Sequence, residues 1–281
     1  MCEKIKKSII FQYLKQLVFR YKDADLSSMS AQISYYLILA FFPFVIFSIN
    51  LLSFTTLSSE LLFADLIAFL PNDTGILVKN MLLQTVHAKS KTLLFISMMG
   101  GLWSASEGIA AIIRGLNKSY GVKEDRNFIK INFMALISTI GITIMMILEI
   151  ILIIFGEIIG TYVFGLIGAT NLFNIIWSFL RYSIPFILMF ITFSLIYMYL
   201  PNRKLKFYNV LIGSLFTTVG WVTISVLFSF YVNNFANYEM VYGGLGGVIA
   251  LIIWLYISTL IVLLGGELIA ITSDFENKEK I

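Results

Sequence analysis

From Tyr242 to Gly266 the chain reads "YGGLGGVIALIIWLYISTLIVLLGG", without one charged residue. About 20 apolar residues in an α-helix cross a hydrocarbon layer about 30 Å thick, so a run of this length reads as a membrane span. Five more such runs precede it, and the six spans are placed at 31–54, 92–116, 131–160, 176–200, 208–232 and 246–271. The composition agrees: 59% of residues are hydrophobic and only 13% charged, against about 25% charged in a soluble domain. A transmembrane β-barrel would show segments of about ten residues alternating apolar and polar, and none appears. The fold class expected is therefore all-α, a polytopic protein with six transmembrane helices. Pro43 interrupts the first span, which a membrane helix tolerates because neighbouring helices can satisfy the freed carbonyl.

Lysine and arginine set the expected orientation. The N-terminal arm, the segment after the second span, the 200–208 loop and the tail together hold 16 of the 20 basic residues, all on one side. The other side has only Lys79, Lys89 and Lys91 in its first loop. Both termini are therefore expected in the cytoplasm, in a multi-pass protein of the plasma (inner) membrane. The division expected is an arm at 1–30, a transmembrane domain at 31–272 and a tail at 273–281.

The arm spaces Ile5, Ile9, Leu14, Leu17, Val18 and Tyr21 at helical intervals between basic residues. That pattern suits an amphipathic helix on an anionic leaflet or one packed under the bundle, and it lacks a signal peptide's continuous apolar core. With Cys2 the single cysteine, no internal disulfide can form. The outer loop at 55–91 reads as two short amphipathic helices broken at Pro71, Asn72 and Asp73.

The polar residues inside the spans carry what functional signal there is. On a helix at about 100° per residue, Gly100, Ser104, Glu107, Ala111, Arg114 and Lys118 form one stripe. Leu102, Ile109, Ile113 and Leu116 occupy the opposite face, expected to meet lipid, while the stripe is expected to face protein or water. In the third span Ser138, Ile142, Glu149, Gly156 and Gly160 share a face, with Glu157 at its edge. Arg181 of the fourth span lies toward the same boundary, so an ion pair with Glu149 or Glu157 is expected, because an unpaired charge there costs several kcal/mol. The fifth span offers Ser214, Thr218, Trp221 and Ser225 on one face. Glu267 is expected to meet the cytoplasmic interface. Intramembrane ionisable groups are candidates for function, and with one hydroxyl the polar candidates are Ser104, Glu107, Arg114, Glu149, Glu157, Arg181 and Glu267. Nine glycines are read as helix-packing positions: Gly100, Gly156 and Gly160, then Gly243, Gly244, Gly246 and Gly247 before or within the last span, and Gly265 and Gly266 at its end.

The stretches "MSAQISYYLILAFFPFVIF", "LWSASEGIAAIIRGLNKSYGVKEDRNFIK", "YLPNRKLKF" and "YGGLGGVIALIIWLYISTLIVLLGGEL", taken in order, resemble the YihY / virulence factor BrkB family over about residues 20 to 272. The resemblance implies a six-helix plasma-membrane protein with cytoplasmic ends. It also implies links to envelope integrity and, in some bacteria, to lipid or lipopolysaccharide handling and serum resistance. It supplies no catalytic residue.

The family once carried the label ribonuclease BN. Metal-dependent RNA hydrolysis needs clustered His and carboxylate ligands, but the one histidine, His87, falls on the expected outer side. No HExxH, P-loop or GxGxxG occurs. No catalytic residue, metal or cofactor is assigned, and the chain is not expected to be an enzyme or to bind nucleic acid. Two functions stay open: translocation of a lipid or amphipathic anion in envelope maintenance, and a non-transporting scaffold of an envelope complex. Membrane lipids are the partners expected. A homo-oligomer or an envelope-complex partner also stays open.

Overall fold

The computed structural model describes residues 2–53, 90–166, 170–234 and 245–278. Most of the 55–91 loop, His87, Gly243, Gly244 and the Glu157 side chain lie outside the described residues. The described residues form helices α1 (Cys2–Asp23), α2 (Leu26–Ser53), α3 (Lys91–Ser119), α4 (Phe128–Leu166), α5 (Thr170–Tyr199), α6 (Phe207–Asn234) and α7 (Gly246–Lys278), with no strand among them. Helices α2 to α7 are each long and apolar enough to cross a membrane.

Local chemistry sets the helix ends. Ser90 caps α3, its hydroxyl accepting the Leu93 N–H at 3.1 Å. After Ser119 the chain turns at Gly121, whose φ of 62° suits a residue without Cβ. There the Gly121 N–H reaches Lys118 O at 3.0 Å and the Val122 N–H reaches Asn117 O at 2.9 Å, which satisfies carbonyls the helix end would leave unpaired. Between α1 and α2 only a tight turn intervenes, with Asp25 at a φ of 54°. The arm boundary placed at residue 30 thus falls one turn inside α2.

Helices α3 and α7 are the central pair, each with 39% of its apolar window buried, against 11% for α4 and 6% for α5. They touch each other directly; α2 packs on both, and α4, α5 and α6 continue in sequence from α3 round to α7. Glycines allow the close crossings. A Cβ at Gly265 would overlap Thr217 Oγ1 and Tyr197 Oη, and one at Gly213 would overlap Ile269 and approach Gly265 O at 2.8 Å. Gly266 makes room for Leu116, and Gly115 for Leu263 at 2.8 Å. Gly246 and Gly247 form the first turn of α7 and are buried. The close crossings described for α7 lie at its other end, at Gly265 and Gly266. Trp177 and Phe173 of α5 lie over Gly156 and Gly160 of α4. Such small-residue contacts hold membrane helices together, since lipid tails are as apolar as the side chains they would replace.

The packed core lies toward the end of the bundle that carries the termini and the basic loops, here termed the basic end. Ile109 to Ile113 and Leu116 of α3, Ile196 and Tyr197 of α5, Val210 of α6 and Leu263, Ile269 and Ala270 of α7 build it.

Candidate functional site

Two polar features stand out, one on the outer surface of α3 and one buried at the basic end.

The apolar face of α3 is turned inward, contrary to expectation, while the stripe is divided: Ala111 is buried at 3% exposure, and Arg114 and Lys118 are exposed. Ile109, Ile113 and Leu116, expected against lipid, are buried at 8%, 0% and 0% exposure. Arg114 and Lys118 are exposed, on the same side as Trp103, Ile96 and Met99. The apolar face turns inward because α2 and α7 dock there: Leu37 lies at 3.4 Å from the position of a Gly108 Cβ, and Leu263 and Gly266 meet Gly115 and Leu116. Glu107 and Ser104 are half-buried. Ser104 sits at the flank of the stripe, and Gly100 lies against Pro43 of α2 with ordinary spacing, about 4.0 Å from a Cβ placed there. Among the described residues, the ion pairs are formed by other side chains, and none involves Glu107, Arg114 or Lys118.

Of the two partners expected for Arg181, Glu149 forms no ion pair with it among the described residues, and the Glu157 side chain lies outside them. Arg181 is exposed, its guanidinium 5.7 Å from the centre of the Tyr182 ring, while Glu149 is half-buried on α4. The α6 face behaves otherwise. Ser214 and Thr218 are fully buried, and each hydroxyl donates to a carbonyl one turn back, Val210 O and Ser214 O, at 2.8 Å. Trp254 Nε1 donates to Ser225 Oγ at 3.2 Å, and the Trp221 and Trp254 rings meet edge to face at 5.5 Å.

At the basic end Glu267, expected at the interface, is instead 1% exposed. Arg20 of α1 reaches it at 3.3 Å, donates to Ser119 O at 3.2 Å and pairs with Asp274 at 2.6 Å. Tyr13 stacks near Phe275 at 4.9 Å, so the arm is docked along the last turns of α7. Close by, Tyr197 Oη donates to Val262 O and bonds with Thr217 Oγ1, both at 2.6 Å. Glu267 Oε1, Ser119 Oγ and Tyr120 Oη are buried without a well-formed hydrogen bond among the described residues, with the Ser119 hydroxyl beside the Glu267 carboxylate. Burial pushes the Tyr120 phenol well above its ordinary range, so it is a neutral hydroxyl.

A second network locks the loops. Arg126 grips both oxygens of Glu124 at 2.8 and 2.6 Å and donates to Leu200 O at 3.1 Å. Asn117 donates to Glu124 at 2.6 Å and accepts the Asn202 N–H at 2.8 Å, while Arg203 donates to Tyr120 O at 3.1 Å. The Arg126 hydrogen bonds hold the Glu124 carboxyl below its usual range.

The basic loops were read for orientation alone, and these partners were missed. One signal was available for Arg20: Tyr13, Leu17, Arg20 and Ala24 recur at helical spacing, which places a charge on the arm's docking face. Nothing local points to Asp274 or Asn202, whose partners lie far away in sequence.

Among the described residues no group of three His, Cys, Asp or Glu side chains could hold a metal ion.

The family model described as "Virulence factor BrkB" matches residues 17–280. The ribonuclease-like protein YfkH of Bacillus subtilis is 37% identical over 259 residues, covering 92% of this chain and 94% of its own. A UPF0761 membrane protein of Alteromonas mediterranea is 26% identical over 267 residues, 92% of this chain and 87% of its own. One from Aeromonas salmonicida is 37% identical over 120 residues, 42% and 41% of the two chains. No solved structure matches. With the family model spanning nearly its whole length, this chain, in which six described helices are long and apolar enough to cross a membrane, belongs to the virulence factor BrkB family of membrane proteins.

Proposed function

We propose that this chain carries a lipid, or another amphipathic anion, between the leaflets of the plasma membrane along the exposed stripe of α3. The observation that supports the reading is a row of charges along a helix long and apolar enough to span a membrane, with Arg114 and Lys118 exposed and Glu107 half-buried above them. A charge at the bilayer centre costs about 3 kcal/mol on insertion scales, so a purely structural helix gains nothing from carrying Glu107 there. At about 1.5 Å per residue, Glu107 stands about 18 Å from the basic end of α3 and Arg114 about 7 Å. An anionic headgroup would meet Lys118 and Arg114 first and pass Glu107 while its tails stay in the bilayer. The carboxylate repels an anion unless protonated or paired, which makes Glu107 the control point of the route.

The test is leaflet transfer of a fluorescent lipid in vesicles of phosphatidylethanolamine and phosphatidylglycerol, read by an impermeant quencher. Wild type should accelerate transfer, and Arg114→Gln and Glu107→Gln should change the rate while leaving the fold intact. If well-folded wild type moves neither anionic nor zwitterionic lipid, translocation is rejected and the scaffold reading leads. The proposed orientation has its own test in a Cys2→Ser background. Lys204→Cys should be shielded from impermeant thiol reagents in intact cells, and Asn171→Cys should label. The reverse pattern would invert the topology.

A further inference from the structure

We propose that Glu267 is a proton-binding site coupled to the N-terminal helix: its carboxylate is charged while Arg20 is docked and takes up a proton when α1 leaves. The inference does not depend on what the chain transports.

Three features carry it. First, Glu267 is 1% exposed and Arg20, at 3.3 Å, is the one cation on it; beside it stands only the neutral Ser119 hydroxyl, which makes no well-formed hydrogen bond to Oε1. Second, Arg20 is divided, since its shorter bond goes to Asp274 at 2.6 Å and another to Ser119 O at 3.2 Å. Third, no other cation faces the carboxylate among the described residues. From α1, Asp23 adds like charge; α3 presents the neutral Ser119 and Tyr120; Asp274 of α7 shares Arg20. Helices α2 and α6 also pack on α7, and neither contains a charged residue.

Withdrawing α1 would therefore leave the carboxylate in the bundle with no cation and only the neutral Ser119 hydroxyl beside it, and a buried charge without its counter-charge neutralises by binding a proton. The step balances. On undocking, Glu267 takes one proton from water to become a neutral carboxyl, and Arg20 keeps its charge. On docking, the proton returns to water beside Arg20, whose side chain is 26% exposed, and the guanidinium contact replaces it. By linkage, acid favours the undocked arm, and the docking constant changes by at most about tenfold per pH unit for a single proton.

The experiment uses the whole chain in phosphatidylglycerol-containing nanodiscs, in a Cys2→Ser background, with spin labels at Lys15→Cys and Lys204→Cys. The distance distribution, followed from about pH 8 to about pH 5, should shift from one docked population toward longer, broader distances. Glu267→Gln should abolish the pH response, while Asp274→Asn and Asp23→Asn should retain it. A response that persists in Glu267→Gln, vanishes in Asp23→Asn or Asp274→Asn, or is absent from wild type overturns the proposal. Infrared difference spectra give a readout that does not depend on Glu267→Gln folding with the arm docked. Arg20→Gln at neutral pH should show a protonated-carboxyl band that is missing from Arg20→Gln/Glu267→Gln. Absence of that band in Arg20→Gln also overturns it.

Discussion

Helices α3 and α6 carry the same kind of pattern, one small and polar face opposite one apolar face, and the fold uses them in opposite ways. In α6 the polar face turns inward, with Ser214 and Thr218 buried and Gly213 set against Gly265. In α3 Arg114 and Lys118 are exposed, and Ile113 and Leu116 are buried. The difference lies in the polar groups. A Ser or Thr hydroxyl can bond to the carbonyl one turn back in its own helix, as Ser214 and Thr218 do, so it enters the core already satisfied. Arg114 and Lys118 carry full charges that no residue of their own helix neutralises, and burying them unpaired would cost far more.

The largest effect is expected at Ile113 of α3. Ile113→Ala should destabilise the purified protein by about 2–5 kcal/mol, the range for emptying a fully buried Leu or Ile site. Ile147→Ala on exposed α4 should stay within about 0.5 kcal/mol. Denaturant titration in detergent measures both, and equal effects would mean that α3 has been assigned the wrong inner face.

Gly213→Ala comes next, at about 1–3 kcal/mol for overpacking, because the added methyl meets Ile269 and the Gly265 carbonyl. Gly141→Ala, where nothing lies within 4 Å, should be neutral or slightly stabilising in the same titration.

A smaller effect is expected from the loop network that ties the end of α3 to the segment before α6. Because Arg126 lowers the folded-state value of Glu124, its contribution is fully present above the ordinary glutamate value of about 4.5. It is lost as pH falls through the lowered folded value. Glu124→Gln should flatten that acid limb of the stability profile and leave the neutral-pH limb parallel to wild type. An unchanged acid limb would remove Glu124 from the network's energetics.

The smallest change should come from Thr218→Val. The hydroxyl bonds only within its own helix, and polar contacts in membrane bundles average about 0.6 kcal/mol. A loss above about 2 kcal/mol would show that Thr218 holds another helix and is not satisfied within α6 alone.

The six spans, the all-α class and the side on which basic residues gather were legible in the sequence, because they follow from apolar length and from where lysine and arginine stand. The face of α6 was legible too, since small residues and hydroxyls mark close helix contact. Which face of α3 turned inward was not. In water an apolar stripe points to the core, but lipid offers Ile109 and Ile113 the same surroundings as protein, so polarity alone cannot sort the two faces. Shape decided: Gly108, Gly115 and Gly266 let α2 and α7 approach one side of α3, and the charges were left on the other. The buried Glu267 was likewise visible only as a carboxylate near a span end. Its partner Arg20 lies 247 residues away, and only the folding of α1 back onto α7 brings the two together.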